Sequence, residues 1–130
     1  MPRYALLRLC PPDPLAVAAR TPEANAYFDA MMGKPQDAIE RRCYLAAAVI
    51  EASNPEDLFR KTQNIEEDWT KVHPPLKGSL KQRSTCVGDA ILNLETGSVL
   101  LCMPQGWQEA TPVHADILRD IAHDLLPLQG

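Results

Sequence analysis

Long hydrophobic runs are absent from this sequence, and the usual membrane span goes with them. No apolar stretch approaches the ~20 residues that crossing a bilayer requires. The N-terminus shows no cleavable secretory pattern, since Arg3 and Arg8 flank only the short patch Tyr4 to Leu7. The expected location is the cytoplasm, where thiols stay reduced. A C-x-x-C pair is also missing: Cys10, Cys43, Cys86 and Cys102 are spread widely along the chain. A tetrahedral zinc site usually takes two ligands from one short turn, so no metal is expected. The cysteines read as small buried or half-buried hydrophobes. There is no glycine-rich phosphate loop, no H-E-x-x-H and no paired-carboxylate motif. Those absences remove the common motif-bound chemistries, so neither a cofactor nor a set of catalytic residues is expected.

Strong charge of either sign is lacking too. The net charge is -4, far too mild to imitate the phosphate density of DNA. The distribution is more informative than the net. The bases Lys71, Lys77, Lys81 and Arg83 fall in a stretch without an acid, between an acidic segment at 54–70 and a C-terminal part whose one base is Arg119. A single basic stretch suggests a loop that contacts an anion or a partner. A nucleic-acid footprint normally makes a whole face basic.

What the chain has in excess is proline, 12 in 130 residues, where average usage would give roughly 6 or 7. The prolines punctuate segments, which predicts one domain of many short elements over 1–130. Arg3 to Leu9 alternates charged and apolar groups and suits a strand, ended by Pro11-Pro12-Asp13-Pro14. Thr21-Pro22-Glu23 opens a helix by cap, first-turn proline and dipole-favoured acid. Ala24, Tyr27, Phe28 and Met31 form its expected inner face, and Gly33 its end.

Arg41 to Ala52 mixes helix-favouring alanines with strand-favouring Tyr44, Val49 and Ile50. The following Asn54-Pro55-Glu56-Asp57 is a strong helix start, so the run before it reads as a buried strand. Leu58, Phe59, Thr62 and Ile65 are expected to face inward from that helix. A polar, proline-rich loop then spans about 66–83, with a length typical of functional or mobile loops. Val87 begins a hairpin through Glu95-Thr96-Gly97, and Val99 to Met103 returns as a central strand buried on both faces. Thr111-Pro112 starts a last helix over about 111–126. Its apolar stripe of Val113, Ile117, Leu118, Ile121, Ala122 and Leu125 is expected to cover the sheet, or to serve a homodimer. The predicted fold class is α+β: a small, mainly antiparallel sheet of about four strands with two or three helices packed on it.

One local pattern stands out, Arg83-Ser84-Thr85-Cys86-Val87-Gly88-Asp89 before the hairpin. Ser84 and Thr85 can bond backbone entering the strand, Gly88 allows a bend, and Asp89 can accept backbone donors or pair with Arg83. Together with Ser53 to Ile65, Trp69 and Gly106-Trp107, this pattern resembles a loose group of small phage, plasmid and archaeal proteins. They share "L-x-x-V-F-x-x-T-x-x-I", a tryptophan and "R-S-x-S-V-G-D-V-I" before a hairpin. The likeness spans roughly residues 41–108, with Cys86 in place of the usual serine and Ala90 in place of valine. The resemblance implies a small α+β fold and a mobile-element context, with no known activity.

Three functions compete on these residues. A binding protein would present Trp69, Lys71, Lys77, Lys81 and Arg83 from one loop and Trp107 from a second, because tryptophan and arginine most often anchor interfaces. In a mobile-element setting it would bind a host protein and block a defence system. Four cations with one or two aromatics could instead hold a short nucleic-acid strand. A cysteine-dependent enzyme would need Cys86 activated by His114 or His123, and nothing local signals that activation. The binding protein is the favoured reading.

Overall fold

Among the described residues, five antiparallel strands form one sheet in the order β2-β1-β3-β4-β5. They are β1 (Arg3–Leu9), β2 (Tyr44–Glu51), β3 (Ala90–Asn93), β4 (Val99–Met103) and β5 (Gly106–Glu109). The computed structural model describes residues 1–63 and 85–125. Within them lie five helices: α1 (Pro14–Ala18), α2 (Pro22–Met31), α3 (Gln36–Glu40), α4 (Pro55–Lys61) and α5 (Pro112–Leu125). The α+β class is as the sequence predicts, with one strand more than the four expected. The added strand is β5, whose Gly-Trp-Gln-Glu carries only one strong strand former. Two added helices, α1 and α3, are of five residues each. The Asp13 carboxylate caps α1 by accepting from Ala16 N at 2.9 Å, and Pro14 starts it.

Side-chain alternation along β1 sorts the core into two layers. Ala5, Leu7 and Leu9 face one side, where Ala26 and Ala30 of α2, Ile39 of α3 and Leu118, Ile121 and Ala122 of α5 cover them. Tyr4 and Leu6 face the other, with Ile50, Ile91 and Leu58 of α4. The alanine run that blurs the sequence pattern has a specific use here. The β1–β2 register slips between Leu6 and Leu7, which pair with Ala48 and Ala46. Ala47 is the extra residue of that bulge, and it lets Ala47 and Ala48 sit in the same layer.

Four details depart from the sequence reading. The buried face of α2 is Ala24, Ala26 and Ala30, while Phe28 and Met31 are 48% and 42% exposed. Ala26 and Ala30 enter the core, with the Ala30 backbone close against Gly88, while Phe28 and Met31 stay outside. Phe59 stands outside the core of α4, because Leu58 and Thr62 at i and i+4 set the inward face. Val113 is exposed on α5 and Ala115 takes the inner position. Trp107 belongs to the edge strand β5 and not to a loop. Among the described residues, no helix is long and apolar enough to cross a membrane.

Candidate functional site

The Ser53-Asn54-Pro55-Glu56-Asp57 start sets the pose of α4 and so shapes the site. Asn54 Oδ1 accepts from Asp57 N at 2.9 Å, and the Asp57 carboxylate accepts from Ser53 N at 2.9 Å, a reciprocal cap. Asp57 also bonds Arg60 and lies 3.3 Å from Lys61. The Ser53 amide first, then these two cations, hold its carboxyl down at about 2. Leu58 is thereby committed to the core, and the next residue, Phe59, faces a groove between α4 and the β4–β5 hairpin.

That groove has a volume of about 620 Å³. Among the described residues, Phe59 and Gln63 line its α4 side, Cys86 and Val87 one end, and Met103, Pro104 and Trp107 the hairpin side. Its lining is mostly apolar, with Glu56 at the rim. Trp107 lies opposite Cys102 in the ladder, and it packs half-buried against the α4-side layer of the core. The backbone of Cys102 is engaged with the turn before β3, as Cys102 N donates to Asp89 O at 2.8 Å and its carbonyl accepts from Gly88 N at 2.9 Å. Trp107 is therefore positioned by side-chain packing on a strand that is otherwise largely exposed.

The pattern Thr85-Cys86-Val87-Gly88-Asp89 acts as a clasp. Asp89 is 1% exposed, and its two carboxylate oxygens accept from Leu9 N at 2.9 Å and Cys86 N at 3.0 Å. It ties the end of β1 to the approach of β3. Gly88 has φ +100, and a Cβ there would lie 3.0 Å from Leu9 Cδ2 and 3.2 Å from the Ala30 carbonyl oxygen. The Tyr44 hydroxyl donates to the Gly88 carbonyl at 2.5 Å. Thr85 and Thr62 are buried with their hydroxyls 2.6 Å apart, Thr85 N donates to Thr62 O at 3.3 Å, and Gln63 Nε2 donates to Thr85 O at 3.1 Å. Residues 63 and 85 thus stand side by side at the groove.

The sequence-predicted contact residues divide accordingly. Trp107 lines the groove. Trp69, Lys71, Lys77, Lys81 and Arg83, with the loop at about 66–83, lie outside the described residues. Phe59 and Gln63 were not predicted for the site. The i, i+4 spacing of Phe59 and Gln63, one position after the inward pair Leu58 and Thr62, was the available signal for the face they occupy.

The cysteine chemistry expected of an enzyme does not assemble among the described residues. Cys86 lines the groove beside Cys102, whose thiol is pushed up to about 11 by burial, then by the charges of Asp89 and Cys86. His114 Nε2 sits 3.1 Å from Glu40 Oε2, and His123 is exposed in the last turn of α5; neither lines the groove. Among the described residues, no group of three or more histidine, cysteine or acidic side chains is arranged to hold a metal ion. No family model, curated protein or solved structure matches the chain.

Proposed function

We propose that this chain is a small non-enzymatic interaction protein that works in the cytoplasm and binds a partner protein at the α4–β5 groove. The observation that carries the reading is Trp107, half-buried on an exposed edge strand beside an apolar groove of about 620 Å³. Aromatic side chains held over a water-excluding pocket are the usual anchors of protein interfaces. Chain connectivity adds a second support. Gln63 and Thr85, the described residues that flank 64–84 in the chain, both line the groove. Lys71, Lys77, Lys81 and Arg83 are thereby tethered to it, and in this proposal they meet acidic groups of the partner. The resemblance to phage and plasmid proteins supplies a context in which the partner belongs to the host and binding blocks its defence.

The test is affinity capture from host extract with the full chain, followed by mass spectrometry. Three baits are compared: wild type, Trp107→Ala, and the triple reversal Lys77→Glu, Lys81→Glu, Arg83→Glu. The wild type should capture a discrete protein, and both variants should lose it while melting within a few degrees of wild type. Capture that survives both variants would place the interface elsewhere. A nucleic-acid partner would instead show as binding that weakens steeply with salt.

A further inference from the structure

The strand β5 stands at one edge of the sheet, and its pairing with β4 fixes which of its backbone groups face outward. Cys102 N donates to Asp89 O and Cys102 O accepts from Gly88 N, so the Cys102 backbone is turned toward the β3 side. Trp107, directly opposite Cys102, is therefore a non-hydrogen-bonded partner whose N–H and C=O point away from β4. Ala110 N donates to Val99 O at 3.0 Å, which sets the same alternation at the other end of β5 and turns Glu109 outward as well. Among the described residues, none bonds to the N–H or C=O of either Trp107 or Glu109. Free groups on a sheet edge are a template for another strand, and β5 carries neither lysine nor proline to blunt it. The opposite edge differs. On β2, Lys61 Nζ donates to the Glu51 carbonyl at 3.1 Å, and no residue of β2 lines the groove.

We infer that the partner engages this site with an extended segment that adds to β5 as a further antiparallel strand, a step that rests on the reading of the groove as a partner site. The segment's backbone exchanges hydrogen bonds with Trp107 and with Glu109. Its residue opposite Trp107 projects from the same face of the sheet, the face that packs toward α4, with Cβ atoms about 4.5–5.5 Å apart. An aliphatic or aromatic side chain there covers the outer side of the indole at the mouth of the groove. That mouth is open at Gly106, where a Cβ would meet nothing within 4 Å. Charge adds a second requirement. Glu56 at the rim and Glu109 on the edge are exposed, and among the described residues neither has an ion-pair partner. The fitting segment thus carries an apolar residue flanked by lysine or arginine. Main-chain bonds supply the affinity in this mode of recognition, and alternate side chains supply the selection.

The probe is a displayed library of random linear peptides panned against the full chain, followed by the most enriched peptide made synthetically. Amide hydrogen exchange by NMR, with and without that peptide, is the first readout. The N–H groups of Trp107 and Glu109 should slow together on binding, while that of Gln108, already in the β4 ladder, should change less. The second readout is the affinity of Glu109→Pro against Glu109→Ala. Both lose the carboxylate and only proline loses the outward N–H, so the proline variant should bind about tenfold more weakly. If that variant melts early, the exchange pattern on the wild type decides alone. No enrichment over background, unchanged exchange at both amides, or equal affinity of two variants that melt alike would overturn the inference. Slowing of those amides with protein concentration alone would overturn it too, since a second copy of the chain would then hold the edge. A peptide that needs Trp107 yet leaves both amides unchanged would overturn strand addition and leave the groove reading standing. One that protects both amides and binds Trp107→Ala equally would uphold strand addition and remove Trp107 as the anchor.

Discussion

Replacing Asp89 by alanine should remove a large share of the protein's stability. The carboxylate is buried, and its two oxygens satisfy the backbone N–H groups of Leu9 and Cys86 at 2.9 and 3.0 Å. Hydrogen bonds to a charged group contribute about 1.5–3 kcal/mol each, and a buried donor left without an acceptor costs its desolvation. Two such bonds give a loss of about 3–6 kcal/mol, against a typical domain stability of about 5–15 kcal/mol. At this chain length that corresponds to a melting temperature lower by roughly 10–20 °C. Asp89→Asn keeps one acceptor oxygen and turns an amide toward the other N–H, so it should fall between the two. Urea unfolding followed by circular dichroism is the assay, with a lower midpoint and an unchanged slope as the signature of lost stability. A loss below about 1 kcal/mol in Asp89→Ala would refute the clasp, because so small a value is what an exposed surface change gives.

Three further outcomes follow from the same geometry. Gly88→Ala should cost about 1–3 kcal/mol by urea titration, since its φ of +100 is strained for any other residue and the new Cβ meets Leu9 and Ala30. Asp57 has a folded-state value lowered to about 2 from 3.8, so its contribution to stability is present above the unfolded value and is lost as pH falls from about 4 toward about 2; the melting difference between wild type and Asp57→Asn should shrink over that window. In the folded protein Cys102 should resist iodoacetamide near neutral pH, because its thiol is buried and raised to about 11, and should react once urea unfolds the chain.

Much of this fold was legible because local chemistry and tertiary packing agree. Thr21-Pro22 and Asn54-Pro55 start α2 and α4 as their caps dictate, with Thr21 Oγ1 accepting from Ala24 N and Asn54 Oδ1 from Asp57 N. Gly97, at φ +81, turns the β3–β4 hairpin where the sequence placed it. Failures came where size and layer matter more than polarity. Hydrophobicity alone put Phe28, Met31 and Phe59 inside, while the positions turned to the core carry Ala26 and Ala30 on α2 and Leu58 on α4. The strand β5 escaped notice because its identity comes from pairing with β4, a non-local cause that Gly-Trp-Gln-Glu does not encode. For the site, the role of Asp89 as an acceptor of backbone donors was legible from its residue type, whereas the pairing of Thr62 with Thr85, beside which Gln63 and Thr85 line the groove, needed the fold.

The most direct measurement of the central claim is a calorimetric titration of the captured partner into wild type and Trp107→Ala. If Trp107 anchors the interface, its truncation should cost at least about 2 kcal/mol of binding, roughly a thirty-fold weaker affinity. The melting temperature should stay within a few degrees of wild type, because Trp107 is half-buried on an edge strand and outside the fully buried core. Equal affinity of the two proteins, or loss of binding that comes only with loss of the fold, would contradict the account.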